Sequence, residues 1–577
     1  MNIMLILLIS IAILYLGYRF YARFIEKVFD VDGTHITPAT EINDGVDYVP
    51  TRKFVIFGHH FASIAGGGPI IGPTVALAFG YLPVWLWIIL GSLLIGAVHD
   101  FSALLTSMRE KGKSIAEVAE KTLGKSGFLL LISFTIIMLV MVTSVFLTLT
   151  STALSSKYPI AHFGDGSIPI QTIVENGVTY AVIGGIASTS VMFITCCAPL
   201  IGYLLYVKKA STMAVSILAV VVCVISVELG IYFPLKIDPL VWMIVLSIYT
   251  LIAAGVPVWV ILQPRDFTNS FLLYAGIIGM AVGSVIIGFR GEMLNAPASN
   301  MAYGDANLGH IWPILFITVA CGAISGFHAL VAGGTTAKQV AKEKPDAKAV
   351  AYGGMLLEAL LAVVVIIAVG YGLDYAKYTS IVFPTDPAVK SNPILAFALG
   401  LGGLLNKSLG ISLVYGTVFG ILLVEGFVVT TLDTAVRLCR YLFEELWSVA
   451  FKTVPAFLKT YAFNSFLCVI LMFVLAYFNA FKQLWQLFGS ANQLLAALTL
   501  LTVSVWLKQR GKKFIFALIP GILMLVTTIA ALVIILVQDY IPKQNYLLAA
   551  GDILMLCLSV GVMALVIKVF RKPMVLN

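Results

Sequence analysis

Three histidines and a carboxylate, His59, His60, His99 and Asp100, fall within long apolar runs, where an ionisable side chain is costly and marks function by default. Imidazole titrates near neutral pH and also ligates metals, so such a group can relay protons, contact a substrate or bind a divalent cation. A structural reading stands beside these: histidines satisfied by carbonyls freed at a helix break, with Asp100 ordering a local network. Glu358 sits between Met355-Leu356-Leu357 and Ala359-Leu360-Leu361. It lies about ten residues into its apolar run, close to the centre of a bilayer at about 1.5 Å per residue. A carboxyl there can exchange the coupling proton of a transporter, or stay protonated in a packing hydrogen bond. Glu425 is similarly deep, with Thr430, Thr431 and Asp433 further along the same run. Asp433 has Arg437 four residues on, the spacing of an ion pair within one helix.

The histidine pair opens the segment GHHFASIAGGGPIIGP, from Gly58 to Pro73. Glycine costs a helix backbone entropy and proline removes a hydrogen bond, so four glycines and two prolines between Gly66 and Pro73 break a helix there. Irregular backbone at membrane depth survives where it is buried or lines a cavity, and transporters use such breaks to hold substrates and ions. A kink for close helix packing is the alternative. A second segment, ACGAISGFHALVAGGTT from Ala320 to Thr336, repeats the theme: Ser63-Ile64-Ala65-Gly66 is matched by Ala323-Ile324-Ser325-Gly326. Two such breaks on spans of opposite sense point to an inverted-repeat transporter. The candidate substrate-binding residues are therefore Ser63, Gly66, Gly67 and Gly68 on one side, with Ser325, Gly326 and His328 on the other. Half-helix N-termini can hold a carboxylate without any buried Lys or Arg.

The elements that position these residues must span a membrane. Of 577 residues, 60% are hydrophobic and 11% charged, against about 25% charged in ordinary soluble domains. The net charge of +8 comes from short basic clusters between apolar runs, not from the continuous basic face that nucleic acid requires. A bilayer core needs roughly 20 apolar residues of helix. Fifteen spans follow: 3–18, 54–79, 82–108, 127–154, 179–206, 213–233, 239–262, 270–289, 310–336, 349–374, 409–434, 461–478, 482–506, 514–537 and 546–568. With the N-terminus outside and the C-terminus cytoplasmic, 28 of the 36 Lys and Arg fall inside and 8 outside. On this reading no Lys or Arg lies deep within a span. Residues 392–408, apolar but Gly-rich, read as an interfacial or re-entrant piece outside. The first run lacks a preceding positive region and reads as an uncleaved span. Seven cysteines without a spacing signature argue against a disulfide framework or a zinc motif. No nucleophile–base pair or appended signalling domain supports an enzyme or a sensor, and no cofactor is expected.

The segments already quoted, with HDF (His99 to Phe101), PRDF (Pro264 to Phe267), EGFVVTTLDTAVR (Glu425 to Arg437) and LFGSANQLLA (Leu487 to Ala496), closely resemble the carbon starvation protein A family of bacterial inner-membrane transporters. The resemblance covers residues from about 54 to 506. It implies a core similar to the five-plus-five inverted repeat of the amino acid–polyamine–cation superfamily, and proton-coupled uptake of pyruvate or uptake of peptides. The two broken segments would open the two repeats. They are the second and ninth spans, seven apart where five are expected, so two extra helices are inserted. The expectation is an all-α polytopic membrane protein of about 15 spans, with an inverted-repeat core of broken helices and extra peripheral helices. Residues 1–53 form an N-terminal helix and cytoplasmic loop, 54–506 the core, and 507–577 peripheral C-terminal helices. The expected function is secondary active, proton-coupled uptake of a small carboxylate such as pyruvate. An oligopeptide importer and a divalent metal-ion transporter are the alternatives. Glu358, Glu425 and the group His59, His60, His99 and Asp100 are the candidates for proton coupling, the last four also for a metal.

Overall fold

The computed structural model describes residues 2–160, 163, 171–175, 177–385, 391–478 and 481–571. The end of the C-terminal segment, 572–577, lies outside them. Among the described residues, thirteen helices are long and apolar enough to cross a bilayer. The first, α1 (Ile3–Val28), is followed by a helix broken into α2 (Lys53–Ala65) and α3 (Gly68–Ala76). Then come α4 (Tyr81–Arg109), α5 (Lys125–Leu154), α6 (Ile183–Val207), α7 (Thr212–Tyr232), the shorter α8 (Pro239–Gly255) and α9 (Leu262–Phe289). A second broken helix, α10 (Ile311–Thr318) and α11 (Gly326–Gly334), leads to α12 (Glu343–Gly372). The chain continues through α13 (Pro393–Leu409), α14 (Leu413–Ala450), α15 (Tyr461–Phe478), α16 (Leu487–Gln509), α17 (Ile515–Tyr540) and α18 (Leu548–Arg571). With α8 and the pair α10–α11, the thirteen make up the fifteen spans expected.

The connections sort cleanly onto two ends of the bundle. At one end Asn2 donates to the Gly288 carbonyl, Tyr81 N–H to Pro297 and Asn295 N–H to Gly370. The small antiparallel sheet of Tyr158–Pro159, Val178–Ala181 and Thr172–Glu175 belongs to the same end, between α5 and α6. At the other end Val49 N–H donates to the Lys338 carbonyl, Arg109 to Phe29 and Arg52 to Ala210. There too Lys512 pairs with Asp30 at 2.6 Å, and Lys508 reaches the Phe570 carbonyl. Chain start and the end of α18 are therefore at opposite ends. The basic loops gather at the second, called inner below.

Two local expectations are refined. Residues 393–409 form a buried helix, α13, antiparallel to the first part of α14, with Gly402 against Thr417 and Gly420 against Ala398, which sets aside the interfacial alternative and keeps the re-entrant one. The Gly-rich sequence is what permits that approach. Basic residues also lie deeper than the sequence suggested. Helix α9 begins at Leu262 and α14 runs to Ala450, so Arg265, Arg437 and Arg440 are helical and fully buried. Apolar runs end at charged residues, but a helix continues through them where carboxylates wait on neighbouring helices.

Candidate functional site

Both breaks fall where glycine forces them. Helix α2 stops at Ala65 because Gly66 takes φ +36°, a left-handed conformation that residues with a Cβ rarely adopt. Stopping a helix frees its last carbonyls, and the Thr431 hydroxyl on α14 takes the one from Ser63 at 3.1 Å. Helix α3 starts at Gly68, with Pro69 in its first turn and no side chain capping its N-terminus. In the second break, Asn492 on α16 does cap: its Oδ1 accepts from the Phe327 N–H at 2.8 Å and its amide lies 3.0 Å from the Ser325 hydroxyl. The two breaks touch. A Cβ on Gly68 would stand 2.3 Å from the Cβ of Cys321, and one on Gly72 would stand 2.6 Å from the Thr318 carbonyl oxygen. Helix α3 runs from the break to the outer end and α11 from the break to the inner end. Two half-helix N-termini thus meet in the middle, with α3 open and α11 capped.

His328 follows the start of α11 and joins two acids, every member being fully buried. Its Nδ1 lies 2.8 Å from Asp100 Oδ2 on α4, whose other oxygen takes His99 Nδ1 at 2.8 Å. Its Nε2 lies 3.2 Å from Glu358 Oε2 on α12, close enough for an ion pair although the angle is wrong for a hydrogen bond. His328, Asp100, His99 and Glu358 thus form one cluster drawn from three helices. Two carboxyls and two imidazoles in a buried site make a group that can bind and release protons.

The remaining expected residues lie elsewhere. Neither His59 nor His60 hydrogen-bonds to His99 or Asp100, although His60 lies within electrostatic reach of Asp100 and His328; consecutive residues of a helix point about 100° apart, at 3.6 residues per turn. His59 Nδ1 faces Asp266 Oδ2 on α9 at 2.8 Å, and His60 Nδ1 faces Thr336 Oγ1 at 2.8 Å. The ring nitrogens therefore do not converge as a metal site would require. Among the described residues, the one set with metal-like spacing is Asp32, His35 and Glu343 near the inner end, and there Arg109 already pairs with Glu343 at 3.0 Å. Glu425 is fully buried, and among the described residues neither of its carboxyl oxygens has a hydrogen-bond partner. Ser63 lies 3.4 Å from Thr434. The expected pair of Asp433 with Arg437 does not form. Asp433 Oδ2 takes Arg265 at 2.6 Å, while Arg437 turns to Asp47 in the loop between α1 and α2, at 2.6 Å. A partner across the bundle is reached because Asp433 faces α9 and Arg437, one turn on, faces the inner loop. Asn492 and Arg265 were missed as site residues. Both stand in quoted segments, LFGSANQLLA and PRDF, and a buried amide or guanidinium is the signal that singles them out.

Fold and site together define a polytopic membrane transporter with an inverted pair of broken helices around a buried histidine–carboxylate cluster. The profile of the carbon starvation protein CstA family matches residues 2–388 and 375–531, and the chain belongs to that family. The peptide transporter CstA of Bacillus subtilis is 33% identical over 559 residues, covering 90% of this chain and 88% of its own. The peptide transporter CstA of Escherichia coli is 31% identical, covering 92% and 80%. The pyruvate/proton symporter BtsT of Escherichia coli is 30% identical, covering 91% and 81%. Among solved structures, a manganese transporter of Eremococcus coleocola aligns over 92% of this chain and 99% of its own at 10% identity, with a TM-score of 0.48.

Proposed function

We propose that the protein is a proton-coupled importer of a small carboxylate such as pyruvate, in a cell inner membrane with the basic end cytoplasmic. The single observation that carries the reading is His328, at the start of α11, held between Asp100 at 2.8 Å and Glu358 at 3.2 Å. A buried acid–imidazole–acid cluster beside the substrate position can bind a proton and give it up, which is what symport requires. The uncapped N-terminus of α3 supplies the anion subsite: free N–H groups and the positive end of the helix dipole attract a carboxylate. On this reading Gly66, Gly67 and Gly68 contact the anion, Ser325, Gly326 and His328 close the site from the other repeat, and Ser63 supports the first break. Residues 54–506 form the working core, with α1 and the last two helices peripheral. Glu425, without a hydrogen-bond partner among the described residues, is the reserve candidate for the proton.

Import of short peptides is the second reading, favoured by the names of the Bacillus subtilis and Escherichia coli relatives. Purified protein should be melted with pyruvate, other 2-oxo acids, di- and tripeptides and divalent metals in turn. The proposal expects stabilisation by 2-oxo acids, stronger at acid pH. Stabilisation by peptides alone would move the reading to the second, and stabilisation by metals alone would overturn both.

A further inference from the structure

A cavity of about 220 Å³ lies at the inner end of the bundle, between the start of α2 and the turn that joins α6 to α7. Pro50, Arg52, Val55, Leu205, Tyr206 and Lys209 line it, two of them cationic and none acidic. Among the described residues, no carboxylate lies within ion-pair distance of Arg52 or Lys209. Arg52 immediately precedes α2, and the neighbouring turn fixes its guanidinium. Its Nη1 donates to the Ala210 carbonyl and the Thr212 hydroxyl, both at 2.8 Å, and Nη2 reaches the Lys209 carbonyl at 3.5 Å. Its Nε has no acceptor among the described residues. Lys209 stands in the turn itself, at φ +52°, where the Ala210 N–H returns to the Leu204 carbonyl at 2.9 Å and closes the end of α6. The start of α2 has no side-chain cap, so its first N–H groups add positive potential to that of the two cations.

The surroundings decide what anion fits. Phe54 on α2, Val207 on α6 and Met213 on α7 are exposed apolar side chains, which on membrane-spanning helices face lipid. Lys208 lies 5.8 Å from the centroid of the Tyr203 ring, an aromatic at the level where bilayer meets water. A cationic recess with an apolar border at that level suits a phospholipid, whose phosphate meets the guanidinium and ammonium while its chains follow the apolar side chains. The volume is smaller than the about 300–1,000 Å³ of pockets that enclose a drug-sized molecule, so a headgroup enters and the chains stay outside. The recess is also remote from the substrate position. Arg52 precedes Gly66 by roughly 20 Å of helix, at about 1.5 Å per residue.

We propose that this recess binds the phosphate of an anionic phospholipid of the inner leaflet. The bound lipid ties the start of the first broken helix to the turn between α6 and α7, through Arg52 on one side and Lys209 on the other. That the leaflet is the cytoplasmic one rests on the sidedness proposed above; the binding does not.

The test is thermal melting of the whole chain in a neutral detergent. It is titrated with phosphatidylglycerol, with phosphatidylcholine of the same acyl chains, and with inorganic phosphate alone. Phosphatidylglycerol should raise Tm by several degrees, and the other two should not. Arg52→Gln combined with Lys209→Gln should lose most of that rise, while Lys125→Gln, at the inner end of α5, should keep it. Arg52 also holds the turn, so Lys209→Glu alone decides the question should the double variant fail to fold; it too should lose most of the rise. No rise in the wild type, or an equal rise in Lys209→Glu, overturns the proposal. An equal rise with phosphatidylcholine or with inorganic phosphate also overturns it, the latter making the recess a site for a free anion. Loss of the rise in Lys125→Gln as well would show diffuse charge attraction and overturn it likewise. Pyruvate uptake is read separately, so its failure would leave a positive melting result standing.

Discussion

At the scale of single residues, Glu358 separates coupling from binding. The amide of Glu358→Gln keeps hydrogen-bonding capacity beside His328 and removes the titrating group. The variant should lose accumulation driven by a pH gradient, by at least tenfold, while exchange of labelled for unlabelled substrate survives. Uptake against a gradient at wild-type level would show that Glu358 is not the coupling residue, and Glu425 would become the first candidate. Glu358 was readable in the sequence because nothing polar surrounds it there. Its partner was not, because His328 lies on the preceding broken helix and only the folded chain brings the two within 3.2 Å. The adjacent histidines His59 and His60 split for a related reason: neighbours in sequence diverge on a helix, so each hydrogen-bonds its own partner, while His60 stays within electrostatic reach of Asp100. Asp433 and Arg437 show the same limit, since correct i,i+4 spacing does not prevent stronger partners on α9 and in the inner loop from taking both.

At the scale of elements, the breaks must touch for the site to exist. Gly67→Ala would place a Cβ 3.2 Å from a Val428 methyl and 3.3 Å from an Ile71 methyl, both able to shift, so transport should fall only a fewfold. Gly68→Ala would drive a Cβ into Cys321 and wedge the breaks apart. Transport should then be abolished with expression and monodispersity kept, and restored in part by adding Cys321→Gly. Equal, mild effects of both alanines would show that the breaks do not meet. The inner loop is tied to α14 by Asp47, which accepts from Arg437 at 2.6 Å and from the Tyr441 hydroxyl. Burial opposes the charge on Asp47, but Arg437, Arg440 and Lys338 outweigh it and hold the carboxyl down at about 2. An unfolded carboxyl titrates at about 3.9, so this tie is at full strength above that pH and is lost as pH falls through about 2. Asp47→Asn strands a buried guanidinium, a loss of about 3–5 kcal/mol. Melting of the purified variant should show a drop of several degrees that stays constant from neutral down to mildly acid pH. A drop that vanished by about pH 5 would contradict the depressed carboxyl. The breaks themselves were legible from their glycines and prolines; the loop's anchor was not, because Asp47 and Arg437 are far apart in the chain.

At the scale of the molecule, apolar length gave the spans and the basic loops gave a sidedness that the packing respects, with chain start and α18 at opposite ends. A reporter fused to the N-terminus should be extracytoplasmic and one fused to the C-terminus cytoplasmic; two reporters on the same side would sink the fifteen crossings. Residues 393–409 were legible as an apolar, Gly-rich piece that does not span, but not as a buried helix, because the packing of its glycines against α14 exists only in the folded chain. Everything proposed for the site requires that substrate and proton move together. Purified protein in liposomes holding a trapped pH indicator should be supplied with labelled pyruvate under an imposed gradient, acid outside. Pyruvate should accumulate with simultaneous acidification of the lumen, both abolished by an uncoupler, and a pyruvate gradient applied alone should drive acidification. Accumulation indifferent to the uncoupler, or pyruvate entry without any movement of protons, would contradict coupling.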